Sequence, residues 1–168
     1  ALKNINGLPE EFKRLRNPEI YRVILSQEVG KIKADILAAR TVADEIQALS
    51  HEKGRAGGVD HAAASAIFSD PTRPDSHRSI AAWLYYDTGA CFLQDADNLI
   101  MKTSDLVEVL EFLREQFPEI SRVTTYSRSR TVIRKSVESL TRIRQAGLDR
   151  VHIGLETGCD ALLKLMKK

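Results

Sequence analysis

Three short apolar runs, each followed by a stretch with helical periodicity, constrain this chain more than any other feature. Cys91-Phe92-Leu93 leads into the polar residues 94–98, residues 120–126 are rich in β-branched side chains, and residues 151–155 form a third run. The runs start about thirty residues apart, the length of a βα unit. After the first, Leu106, Val109, Leu110, Leu113 and Phe117 mark one helix face, with Thr103 or Ser104 as its cap and Pro118 as its stop. After the second, Val132, Ile133, Val137, Leu140 and Ile143 predict one amphipathic helix closed at Gly147. After the third, Thr157 can cap a helix carrying Leu162, Leu163 and Met166.

The order β-α-β-α-β-α is solved most economically by a parallel sheet with right-handed crossovers. The fold class expected is α/β, with about three βα units preceded by long and short helices. Three strands are few for a closed α/β domain. The last helix reaches Lys167-Lys168 just as its apolar face develops. Residues 90–168 therefore read as a core truncated at its carboxyl end, and its open sheet edges predict self-association or a helix laid over an edge.

The preceding half divides in two. Residues 1–16 have few apolar anchors and read as an arm, while residues 17–89 read as helical with a Gly/Pro-rich insertion at about 51–78. Asn17-Pro18 suits a helix start, and Ile24, Glu28, Ile32, Ile36, Ala39, Ala43 and Ile46 predict one long helix to about Leu49, with Gly30 as a possible break. Residues 62–68 and 79–86 suit two shorter helices.

Composition narrows the function classes. Of 168 residues 43% are hydrophobic and 29% charged, and the net charge is +2, which excludes fibrous and wholly disordered chains. The longest apolar runs fall short of a membrane span, and no signal-peptide pattern is present, so the chain is expected to be cytosolic with no membrane partner. Two cysteines, Cys91 and Cys159, cannot supply a four-thiolate zinc site or three thiolates for an iron–sulfur cluster. They belong to opposite ends of different strands, so neither a shared metal nor a disulfide is expected. His51, His61, His77 and His152 lack metal-ligand spacing, and His152, inside a strand, is expected to be a hydrogen-bonded structural residue. Between residues 121 and 150, eight bases face two acids, a local excess of six. Arg134, Lys135, Arg142 and Arg144 fall on the polar side of a helix, so solvation is the reading preferred over a nucleic-acid surface.

In parallel α/β units, ligands bind beyond the carboxyl ends of the strands. Those ends are Gln94-Asp95-Ala96-Asp97-Asn98, Tyr126-Ser127-Arg128-Ser129-Arg130 and Gly154-Leu155-Glu156-Thr157-Gly158. Together they offer carboxylates, a guanidinium and hydroxyls suited to a zwitterionic or sugar-bearing ligand. The competing reading makes Asp97, Ser104 and Thr157 caps or turns and leaves Arg128 solvated.

Taken in order, residues 92–99, 122–128 and 151–158 resemble the core of radical S-adenosylmethionine enzymes of the elongator, methylthiotransferase and nitrogenase-cofactor type. The resemblance covers residues 91–168, and the helix at 31–49 is compatible with that family's first core helix. It implies a partial (β/α) parallel-sheet barrel, reductive cleavage of S-adenosylmethionine at a [4Fe–4S] cluster, and hydrogen abstraction from a substrate. It also implies cofactor-binding roles for Gln94, Asp95 and Asp97 at the loop facing the methionine amino group, for Tyr126, Ser127 and Arg128 at the next strand end, with Arg128 a partner for the methionine carboxylate, and for Glu156 near the ribose or the methionine part. The family's C-x3-C-x2-C cluster motif is absent, so the cluster and the S-adenosylmethionine chemistry are expected of a longer parent and the cluster is not expected in this chain. The alternative is a degenerate α/β binding or scaffold module, with nucleic-acid binding through the basic 121–150 face as one form of it.

Overall fold

The computed structural model describes residues 18–52, 60–94, 97–154 and 157–166. The expected arm at 1–16 lies outside the described residues.

Helix α1 spans Pro18–Glu52 and passes through Gly30 without a break. Its 35 residues make a rod of about 50 Å. Val29, Val42, Ala43 and Ile46 are buried along one stripe at three- and four-residue spacing, with Ile36 and Ala39 packed beside them. Helix α2, His61–Ser69, starts where Asp60 Oδ1 accepts the backbone N–H groups of Ala62 (2.8 Å) and Ala63 (3.3 Å). Helix α3, Asp75–Tyr86, packs on α2 and α1 and ends at Asp87 in the left-handed region (φ 47°).

The strands are β1 (Ala90–Leu93), β2 (Arg122–Ser127) and β3 (Arg150–Ile153). They form one parallel sheet in the order β1-β2-β3, with Cys91 opposite Val123 and Tyr126 opposite His152. Side chains alternate between the two faces. Cys91, Leu93, Val123 and Val151 join a core made with Ile46, Leu106, Leu110, Leu113 and Ile143. Those helical residues come from α1, α4 (Thr103–Gln116) and α6 (Val137–Gln145), and Ala64 and Ile67 of α2 and Ala81 and Leu84 of α3 belong to the same core. The opposite face carries Phe92, Tyr126 and His152, all exposed. The chain is thus an α/β structure with a three-stranded parallel open sheet.

Tertiary context changes several local expectations. The predicted single helix over 132–143 is two: α5 (Ser129–Arg134) and α6. The break falls at Lys135-Ser136, where Ser136 Oγ accepts Ser139 N–H at 3.1 Å and starts a new helix. Ile133 and Val137, expected on the apolar face, are 81% and 80% exposed. Neither Thr103 nor Ser104 caps α4: the cap position is Lys102, which makes no side-chain cap bond, and Ser104 Oγ contacts Asp105 instead. Thr157 does not cap the last helix either. That helix, α7 (Asp160–Leu165), has Cys159 in the cap position, and the Thr157 hydroxyl accepts Cys159 N–H at 3.1 Å in a turn just ahead of it.

The amino-terminal ends of β2 and β3 are stapled by Arg114. Its guanidinium donates to the carbonyls of Ile120 and Gly147 and to Asp149 Oδ2, the last two at 2.7 Å. The same carboxylate oxygen accepts Val123 N–H at 2.7 Å, while Asp149 N–H donates to Val123 O at 2.9 Å. Gly147 takes a φ of 115° to close α6, as its position in the sequence predicts.

Candidate functional site at the carboxyl rim of the sheet

The carboxyl ends of the strands are built by two loops that hold each other. After β1 the chain reaches Asp97 and a 3-10 turn at Asn98–Ile100. Asn98 Nδ2 donates back to Leu93 O (2.9 Å) and across to Thr125 Oγ1 (2.7 Å), whose hydroxyl is fully buried in β2. Asp97 reaches further. One carboxylate oxygen accepts Ser127 Oγ at 2.6 Å and Arg128 N–H at 3.3 Å, and the other accepts the Thr131 hydroxyl. Burial pushes the Asp97 carboxyl up, but these hydrogen bonds and the nearby Arg128 charge outweigh it and hold its pKa below the ordinary value.

A second latch lies beside the first. Lys135 Nζ donates to Met101 O at 2.9 Å and contacts Thr103 Oγ1 at 3.4 Å. Burial lowers the Lys135 pKa, and the charge of Asp97 opposes that shift. The two latches fasten the β1–α4 connection to the β2–α5–α6 connection. The helix break falls at the same residue: Lys135 leaves helical geometry, and its ammonium reaches Met101 O.

The expected site residues therefore separate. Asp97 and Ser127 are bound to each other and brace the rim. Gln94 and Arg128 are exposed at it, and Arg128 has no carboxylate partner among the described residues. Tyr126 is 51% exposed on the open face of the sheet, its ring 4.8 Å from Phe92 and 5.8 Å from His152. Asp95 and Glu156 lie outside the described residues.

No protein-family model matches this chain, and neither does any curated protein or solved structure.

His152 corrects its expectation: it is exposed, makes no hydrogen bond to a described residue, and sits in the aromatic row. Sequence reasoning missed Phe92 and His152 as a set with Tyr126. Strict alternation along each strand was the available signal, since it puts all three opposite Cys91, Val123 and Val151. The cysteines stay apart in environment as well as in sequence. Cys91 is half-buried and burial pushes its thiol pKa up, whereas Cys159 is exposed; both are free. Among the described residues no group of three or more His, Cys, Asp or Glu side chains could hold a metal ion. None of the described helices is long and apolar enough to cross a membrane. An apolar cleft of about 370 Å³, lined by Ile36, Trp83, Cys91 and Phe117 among others, lies between α1, α3 and β1, where Trp83 Nε1 donates to Ala90 O at 2.8 Å.

Proposed function

We propose that the rim binds S-adenosylmethionine as the cofactor face of a radical S-adenosylmethionine enzyme, and that the three βα units are one sector of a partial β/α barrel. The observation that carries this reading is the one-sided covering of the sheet. Core side chains from α1, α4 and α6 lie against the face of Cys91, Val123 and Val151, while Phe92, Tyr126 and His152 stay exposed on the other. A doubly wound sheet has helices on both faces, whereas a β/α barrel has them outside only and turns its other face inward.

At the rim, Arg128 is the group suited to the methionine carboxylate, because it is exposed and its guanidinium has no ion pair among the described residues. Gln94 supplies an amide at the neighbouring strand end. Asp97 and Ser127 act by fixing the loop from which Arg128 projects. The [4Fe–4S] cluster does not fit this chain's own residues, because two thiols in different surroundings cannot give three thiolates.

Titration calorimetry with S-adenosylmethionine tests the rim. Arg128→Ala is expected to weaken binding at least fivefold with the urea unfolding midpoint unchanged. Equal affinity in the variant refutes the role of Arg128, and no binding by the wild-type chain refutes the rim as a cofactor site.

A further inference from the structure

The open face of the sheet carries an arrangement that cofactor binding at the rim does not use. Strand register places Phe92, Thr124 and Arg150 in one row across the sheet and Tyr126 and His152 in the next. The Phe92 ring lies 4.8 Å from Tyr126 and 6.3 Å from His152, nearly parallel to the latter at 24°. Arg122, two residues before Thr124, brings a second guanidinium to the same face. Neither Arg122 nor Arg150 has a carboxylate partner among the described residues, and no strand residue on this face is acidic. Arg40, Arg73 and Arg114 are by contrast paired, with Asp44 and Glu119, with Glu45 and with Asp149 respectively, while Arg128, Arg130, Arg134, Arg142 and Arg144 away from this face also have no ion pair among the described residues.

We infer that this face binds a small planar aromatic anion, the substrate class of the enzyme proposed above. The inference rests on that reading for the word substrate, and on the face itself for the chemistry. Rings with exposed edges and faces accept a planar π-system, and unpaired guanidiniums beside them select an anionic substituent. Size decides between a small ligand and a polymer. With strands ~4.8 Å apart and rows two residues apart, the patch measures about 10 Å by 7 Å, room for one bicyclic ring system and its anionic group. A single-stranded nucleic acid needs successive platforms over at least about four nucleotides, and this face provides one.

The test uses the whole 168-residue chain and 1-naphthyl phosphate as the probe, followed by calorimetry and by amide shifts at residues 91–93, 124–127 and 150–153. The phosphate is expected to bind at least tenfold tighter than 1-naphthol, and inorganic phosphate to leave those amides unmoved. Phe92→Ala and Arg150→Gln should each weaken the probe at least fivefold; Arg150 is exposed, so its variant reports binding even if Phe92→Ala unfolds. Equal affinity for naphthol and its phosphate, unchanged affinity in Arg150→Gln, or no binding overturns the inference. So does a decameric oligoadenylate that binds a hundredfold tighter than the probe with a steep salt dependence, which assigns the face to nucleic acid. S-adenosylmethionine affinity of the wild-type chain, measured alongside, reports on the rim separately: no S-adenosylmethionine binding with probe binding intact refutes the cofactor reading alone.

Discussion

Replacing Asp97 by alanine removes three hydrogen bonds that join the β1–α4 connection to β2 and α5, and the cost can be worked from their geometry. A hydrogen bond to a charged acceptor contributes about 1.5–3 kcal/mol when well formed and shielded. Here the Arg128 N–H contact is long at 3.3 Å and the carboxylate is half-exposed, so both lower the total. The Ser127 hydroxyl raises it, because Ser127 is 4% exposed and without Asp97 keeps only a 3.4 Å contact to Arg128 O. A loss of about 2–3 kcal/mol is expected for Asp97→Ala, and about 1 kcal/mol for Ser127→Ala. Since the two share a bond, the double variant should cost roughly 1 kcal/mol less than the sum of the singles. Urea unfolding followed by far-ultraviolet circular dichroism gives all three values. A loss below ~0.5 kcal/mol for Asp97→Ala, or singles that simply add, refutes the brace. The pH dependence follows from the direction of the shift. With the folded-state pKa below the unfolded value of about 3.9, the contribution is complete above that value and disappears as pH falls through the lower folded pKa. Asp97→Asn should therefore flatten the acid limb of the stability profile and leave its shape between pH 6 and 8 unchanged.

Two further outcomes follow from the backbone and the thiols. Gly147→Ala should destabilise the chain by more than about 1 kcal/mol, because φ is 115° and the new Cβ would meet Arg114 Nε at 2.6 Å, whereas Gly30→Ala, inside a helix with open space around it, should stabilise by about 0.5–1 kcal/mol. Equal signs in thermal unfolding would contradict the assigned geometries. Iodoacetamide at neutral pH should label exposed Cys159 at least tenfold faster than half-buried Cys91, read by peptide mass spectrometry; comparable rates would show that Cys91 is not shielded.

Much of the fold is written locally. The three apolar runs, the stripe through Val42, Ala43 and Ile46, the Pro118 stop and the left-handed Gly147 all follow from a period of two or 3.6 residues and from backbone preferences that each residue carries with it. The same periodicity locates the carboxyl rim, so Gln94 and Arg128 were legible as exposed candidates there. What was not legible lies between residues distant in sequence. The Ser127–Asp97 bond spans 30 positions, and the Thr131–Asp97 and Lys135–Met101 bonds span 34. These contacts join Asp97 and Ser127, two of the expected rim residues, to each other, and one predicted helix is two, divided at Lys135. A helical stripe such as Val132, Ile133 and Val137 promises burial only if a partner surface exists, and here none of the described elements covers Ile133 or Val137. Likewise, alternation separates Phe92, Tyr126 and His152 from Cys91, Val123 and Val151, but it does not say which face the helices will take. The elements and their order depend on neighbours three or four residues away and are therefore readable along the chain. Which face stays open and which polar groups bind each other depend instead on strand register and on loops that meet across the sheet, and these exist only in the folded chain.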